Sequence, residues 1–214
     1  MSKDQVVDRL IASQAQVSLW RMRSGQLRDE IEFQSVQQSL DRLSKAKIFI
    51  DDTASMNILQ IRSMARRLQI EHGLDLLVID YLQLIQPRTN SDNIVQQITE
   101  ISRNIKGLAR ELQVPVLVLS QLSRDVERRE VKIPKLSDLR DSGSLEQDAD
   151  VVLFLSRKAD QDGLPNDQNI INIIVSKHRN GPLGSIELRF DADRVSFRSI
   201  DTMHVPAEAG VELP

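Results

Sequence analysis

An α/β fold with a mostly parallel sheet lying between helices is what this sequence predicts, and two observations carry the prediction. Apolar runs recur at Leu76 to Ile79, Val114 to Leu119, Val151 to Leu155 and Ile170 to Val175. They lack in–out alternation, as strands covered on both faces do. Between the first two, Ile94, Ile98, Ile101, Ile105, Leu108 and Leu112 form a long stripe at helical spacing. Strand, helix and strand therefore follow in the order of a parallel crossover.

The remaining elements can be taken in chain order. Val6, Val7, Leu10 and Ile11 recur at the spacing of an amphipathic helix, and Ile31, Val36, Leu40 and Leu43 repeat the pattern over Glu30 to Leu43. Lys47 to Ile50 reads as a short apolar strand ending in Asp51-Asp52. Ile58, Ile61, Met64, Ala65 and Leu68 mark another helix, closed by His72-Gly73. The stretch from Ile186 to Ile200 alternates and centres on Asp191-Ala192-Asp193, which predicts an antiparallel hairpin at the sheet edge. No internal repeat or low-complexity tract interrupts this order.

Composition bounds the function. The 214 residues are 40% hydrophobic and 28% charged, a globular balance that argues against wholesale disorder. Lys plus Arg number 28 against 31 Asp plus Glu, a net charge of −3. A uniformly basic nucleic-acid binder is thereby excluded, while a local basic groove or ring is not. With no cysteine, disulfides, thiolate zinc sites and cysteine nucleophiles are excluded. The three histidines, His72, His178 and His204, stand too far apart in sequence for a metal motif. No apolar run approaches 18 residues and the opening MSKDQVVDRL has no signal-peptide core, so a cytoplasmic protein without a membrane partner is expected.

In sheets of this kind the chemistry gathers at the carboxyl ends of the strands. After Leu76 to Ile79 comes Asp80. A lone carboxylate ending a buried strand suits the orientation of a magnesium-bound water beside a nucleotide, although such an Asp also serves simply to cap a turn. After Val114 to Leu119 comes Ser120-Gln121. The Gln121 amide can both donate and accept, which suits sensing a γ-phosphate or placing an attacking water; a solvated turn is the plainer reading. After Ile170 to Val175 comes Ser176-Lys177-His178-Arg179-Asn180-Gly181-Pro182. Lys177 and Arg179, one residue apart, point the same way, Arg179 with a fork for phosphate and Lys177 as a point charge, or they decorate an ordinary hairpin turn. Small and polar residues surround Gly143 between Leu136 and Asp150, leaving backbone N–H groups for phosphate oxygens with Arg140 beside them, where a flexible linker is the alternative.

Val78-Ile79-Asp80-Tyr81-Leu82-Gln83-Leu84-Ile85, Leu119 to Arg124, the loop from Arg140 to Asp150, and Lys177 to Pro182 occur in that order. Together with Met1 to Arg9 they resemble the RecA-like motor domain of the bacterial replicative DNA helicase, the DnaB type. The similarity covers residues 1–200, read as a partial motor domain, and leaves 201–214 as a variable tail. The resemblance implies a homo-hexameric ring that hydrolyses ATP with Mg²⁺ at subunit interfaces, moves along single-stranded DNA, and works with a primase and a helicase loader. By motif, Asp80 is the Walker B acid and metal-side residue, and Gln121 couples the γ-phosphate to the DNA loops. Arg179 is the arginine finger, with Arg9, Lys177, His178 and Gln121 also at the nucleotide. Arg140, Asp141 and Gly143 line the DNA channel.

The departures are as definite as the matches. No Gly-x-x-x-x-Gly-Lys-Ser/Thr loop occurs in the 214 residues. In the family that loop, its leading strand, a collar domain and a catalytic Glu all lie upstream of the Met-Ser matched by Met1-Ser2. The expectation is an inactive chain when alone, with bare strand edges and part of its apolar core open. A recombinase-type RecA-like ATPase and a non-catalytic protein that modulates a helicase ring are the other readings. The strings Asp80 to Gln83 and Ser142 to Asp150 favour the helicase over the recombinase.

Overall fold

The computed structural model describes residues 1–87, 93–129, 132–139, 143–157 and 169–200. Its helices are α1 (Lys3–Ala15), α2 (Leu19–Arg23), α3 (Glu30–Lys45), α4 (Ile58–His72), α5 (Ile94–Leu112) and α6 (Gly143–Asp148). Its strands are β1 (Leu77–Ile79), β2 (Val116–Val118), β3 (Val151–Arg157), β4 (Ile170–His178), β5 (Gly184–Asp191) and β6 (Ser196–Ser199). The residues expected to form a C-terminal tail, 201–214, lie outside the described residues.

Local chemistry starts the helices where the sequence places them. Ser2 and Gln5 form a reciprocal capping box on α1, and Asn57 and Gln60 form another on α4. Asp29 accepts from the Glu32 N–H at the start of α3, and Asn93 accepts from Val95 and Gln96 at the start of α5. α2, five residues capped by Ser18, is too short to show an apolar period. Its Leu19 N–H donates to the Asp193 carbonyl at 2.8 Å, which ties the N-terminal helices to the β5–β6 turn.

β1 and β2 pair in parallel, Val78 opposite Leu117, with α5 as the crossover between them. One face of this pair carries Leu77, Ile79, Val116 and Val118 onto a core of Ile58, Ile61 and Ala65 from α4 with Ile98, Ile101, Ile105, Leu108 and Leu112 from α5. Leu108 is only 1% exposed. Truncating Leu108 to Ala is expected to cost about 3 kcal/mol in chemical denaturation of the full chain, and a loss below about 1 kcal/mol would contradict this packing.

Three features depart from the sequence reading. The other face of the strands is bare among the described residues: Val78, Leu117, Leu153 and Leu155 are each about half exposed or more, while Val152 and Phe154 are buried. The apolar runs of β1, β2 and β3 thus alternate in burial although they do not alternate in polarity. Next, β3 and β4 are antiparallel, and with β5 and β6 they form a four-stranded antiparallel sheet in chain order, so the antiparallel part extends well beyond a terminal hairpin. A parallel β3–β4 pair would need a helical crossover, and the intervening sequence, with Gly163 and Pro165, has no helical apolar stripe. Finally, Lys47 to Ile50 joins no ladder. Among the described residues nothing pairs beside it, and Phe49 instead stacks on the His72 ring with centroids 4.9 Å apart.

Candidate functional site

The parallel pair sets two polar residues side by side. Asp80 follows the last residue of β1 and is exposed, with a cis peptide joining it to Tyr81. Gln121 stands three residues beyond β2, also exposed. The Leu119 N–H donates to the Ile79 carbonyl and the Leu82 N–H to the Leu119 carbonyl, both at 2.9 Å, so the two chain exits stay laced together past the strands. Gln83 completes the lacing: its Oε1 accepts from the Gln121 N–H at 3.4 Å and its Nε2 donates to Ser120 Oγ at 3.1 Å. The sequence reading quoted Gln83 only as part of a string. Its place three residues after Asp80, on the 3-10 turn Leu82–Leu84, is the signal that would have found it.

A clip follows in the chain. The Ser123 N–H donates to the Asp138 carbonyl at 3.0 Å, and the Asp138 carboxylate, 1% exposed, takes both terminal nitrogens of the Arg129 guanidinium and the Lys135 N–H. Burial pushes the Asp138 carboxyl up, but the Arg129 and Lys135 hydrogen bonds outweigh it and hold it below the ordinary carboxylate range. The folded chain therefore keeps Asp138 ionised at a pH where the unfolded chain begins to take up the proton. Its contribution is full above about pH 4 and is lost as the pH falls through the folded-state value. Asp138→Asn is expected to cost about 2 kcal/mol at pH 7 and progressively less toward pH 3, followed as the difference in melting temperature from the unaltered chain. A difference independent of pH would contradict the clip.

The third group gathers on α6. The loop reading of 143–148 is corrected here: these residues form a six-residue helix, because Leu145 packs against the core and the far end is satisfied by a cation. That cation is Lys177, whose Nζ donates to the carbonyls of Glu146 and Gln147 at the helix C-terminus, where positive charge is favoured. Ser102 Oγ donates to Asp148 at 2.6 Å, fastening α6 to α5. Just beyond, Asp150 Oδ1 lies 3.0 Å from the Arg179 guanidinium while its other oxygen pairs with Lys106 Nζ. Lys106 hydrogen bonding, with the charges of Lys106, Arg179 and Lys177, lowers the Asp150 carboxyl from its usual range against an opposing burial penalty. His178 turns its ring over Gly181, where a Cβ would come within 2.5 Å of the ring carbon Cε1. A side chain at position 181 would need the exposed His178 ring to swing aside.

The structure thus places Asp80 and Gln121 just past the ends of neighbouring strands, and seats Lys177 on α6 and Arg179 on Asp150 just beyond it. None of the described contacts joins these two groups directly. Arg9 is exposed on α1 and touches neither by any described contact. Gly143 opens α6, and its N–H lies in the first turn, where helix amides have no intrahelical acceptor. Arg140 and Asp141 lie outside the described residues. Among the described residues no group of three or more His, Asp or Glu is placed to cage a metal ion. A lone exposed carboxylate such as Asp80 fits Mg²⁺ held mainly by water and phosphate oxygens, the usual habit of that ion. No described helix is long and apolar enough to cross a membrane.

Comparison with known proteins converges on one family. A family model described as the DnaB-like helicase C terminal domain matches residues 1–199. The chain is 44% identical to the replicative DNA helicase DnaB of Geobacillus stearothermophilus over 98% of this chain and 47% of the relative. It is equally identical, with the same coverage, to the replicative DNA helicase DnaC of Bacillus subtilis. The chain therefore spans about half the length of these curated relatives. Among solved structures, one described as an ATPase domain superposes with a TM-score of 0.87 at 36% identity, over 94% of this chain and 72% of that one. A DnaB-like replicative helicase, described with its interactions with primase, gives the same score and identity over 94% of this chain and 49% of that one.

Proposed function

From the premise that this chain belongs to the family of DnaB-like helicase C-terminal domains, we propose that it is the ATP-hydrolysing motor half of a replicative DNA helicase. In this reading it works as a homo-hexameric ring on single-stranded DNA and hydrolyses ATP between neighbouring subunits. The single observation that carries the reading is the placement of Asp80 and Gln121 just beyond the ends of the adjacent parallel strands β1 and β2, with Arg179 just beyond β4 of the other sheet. A carboxylate and an amide on one wall, with a guanidinium on another, are the parts an interfacial phosphoryl-transfer site needs.

The roles divide by chemistry. Asp80 orients the water shell of Mg²⁺, which when bound neutralises charge on the phosphates. Gln121, held at its backbone by Gln83, presents a neutral amide able to follow whether a γ-phosphate is present and to pass that state along the Ser123–Asp138 clip. Arg179 offers its fork to the ATP of a neighbouring subunit, with Lys177, His178 and Arg9 at the rim of that nucleotide. Arg140, Asp141 and Gly143 take the DNA backbone through guanidinium and amide contacts, which are sequence-tolerant. A primase and a loader are the further protein partners, and the setting is cytoplasmic. The phosphate loop is not among these 214 residues, so the chain alone is expected to turn over no ATP. The half-exposed apolar outer faces of β1, β2 and β3 suit a surface that the rest of a motor domain covers.

The test is a chimaera in which residues 1–199 replace the matching stretch of the Geobacillus stearothermophilus helicase. DNA-stimulated ATP hydrolysis and duplex unwinding are expected from its rings. Assembled rings that bind ATP but neither hydrolyse it nor respond to DNA would overturn the reading.

A further inference from the structure

Arg179 does not project from β4 as an isolated cation. Its backbone N–H donates to the Asp150 carbonyl at 2.8 Å, and its guanidinium lies 3.0 Å from the Asp150 carboxylate. The antiparallel register explains the meeting: Val151 stands opposite His178, so the residue before β3 faces the residue after β4. Asp150 also closes the exit of α6, whose last carbonyls hold Lys177 and whose Asp148 is fastened to Ser102 of α5. Both cations at the end of β4 are thus seated on one short stretch of chain, residues 146–150.

We infer that Asp150 is a positioning residue for Arg179, holding its guanidinium at the strand end in the orientation from which it reaches a neighbour's phosphate. The inference rests on the reading of Arg179 as the trans-acting cation and adds the residue that aims it. Physical chemistry sets the character of the hold. The two side chains are 50% and 54% exposed, so their ion pair is weak and gives way readily to a more highly charged phosphate. The backbone hydrogen bond is independent of either side chain and keeps the anchor in place while the guanidinium moves. Lys106 pairs with one carboxylate oxygen and Arg179 with the other, so the two contacts do not compete for the same atom. Lys177 of β4 caps the C-terminal end of α6, which leads straight into Asp150, so both cations rest on the same short segment.

The test uses rings of the chimaera described above, carrying single substitutions. Asp150→Ala is expected to lower kcat for DNA-stimulated ATP hydrolysis about tenfold with the KM for ATP unchanged, as loss of orientation does. Asp150→Glu should recover most of the rate. Lys106→Ala, which cuts the tie to α5 but leaves Arg179 its partner, should stay within about twofold of the unaltered ring. If Lys106→Ala and Asp150→Ala lose the same activity and melt at the same lowered temperature, Asp150 is only a structural tie and the inference falls. If Asp150→Ala keeps full activity while Arg179→Ala is inactive, the inference falls and the reading of Arg179 stands. If Arg179→Ala is itself fully active, the reading of Arg179 fails and carries this inference with it.

Discussion

Replacing Arg179 by Ala is expected to lower ATP turnover by about a thousandfold in rings of the chimaera, with assembly and ATP affinity little changed. The size follows from what a guanidinium does at a phosphoryl transfer, where charge spreads over the transferred group and a forked donor stabilises it most in the transition state. The fold itself loses little. Arg179 is half exposed, and its pairing with Asp150 is a surface ion pair worth at most about 1 kcal/mol. A melting temperature within a few degrees of the unaltered ring, beside a lost rate, would separate the catalytic effect from a structural one. Arg179→Lys should rescue only a small part of the activity, since an ammonium supplies charge without the fork.

Replacing Asp80 by Asn is expected to lower turnover by about a hundredfold or more through a different route. The amide keeps the size and position of the side chain but removes the negative charge that orders a metal-bound water shell. Asp80 is exposed at the end of β1, so the substitution disturbs no packing around Leu77 and Ile79. Raising Mg²⁺ should recover some rate in this variant and none in Arg179→Ala. Equal responses of the two variants to Mg²⁺ would contradict the division of labour between the two walls.

Much of this site lay open in the residues, and what stayed hidden did so for physical reasons. Asp80 and Gln121 were visible because an apolar run ending in a polar residue is a local pattern, and the long stripe from Ile94 to Leu112 made the parallel pairing of β1 and β2 the natural topology. Arg179 was visible as a cation at a strand end, but its partner was not. Asp150 reaches it only if β3 and β4 run antiparallel, and the apolar runs gave no sign of direction. Gln83 was hidden for a related reason. Its two hydrogen bonds cross between chain exits 37 and 38 residues apart, a distance that periodicity does not bridge. The Arg129–Asp138 clip was hidden because a buried carboxylate paired with a guanidinium looks in sequence like any two charges on a surface. The bare outer faces of β1 to β3 mark the opposite limit. Uniform hydrophobicity predicted two covered faces, whereas the described residues cover one.

Mixing the two variants tests the central claim, that the Asp80 wall of one subunit meets the Arg179 corner of the next. Rings assembled from equal amounts of Arg179→Ala and Asp80→Asn chimaeras contain some interfaces where an intact Asp80 faces an intact Arg179. If Arg179 serves its neighbour, random mixing restores on the order of a quarter of the interfaces, and turnover rises well above that of either variant alone. If both residues serve the same subunit's nucleotide, no interface is repaired. Mixed rings that form but stay as inactive as the separate variants at every ratio would contradict the account.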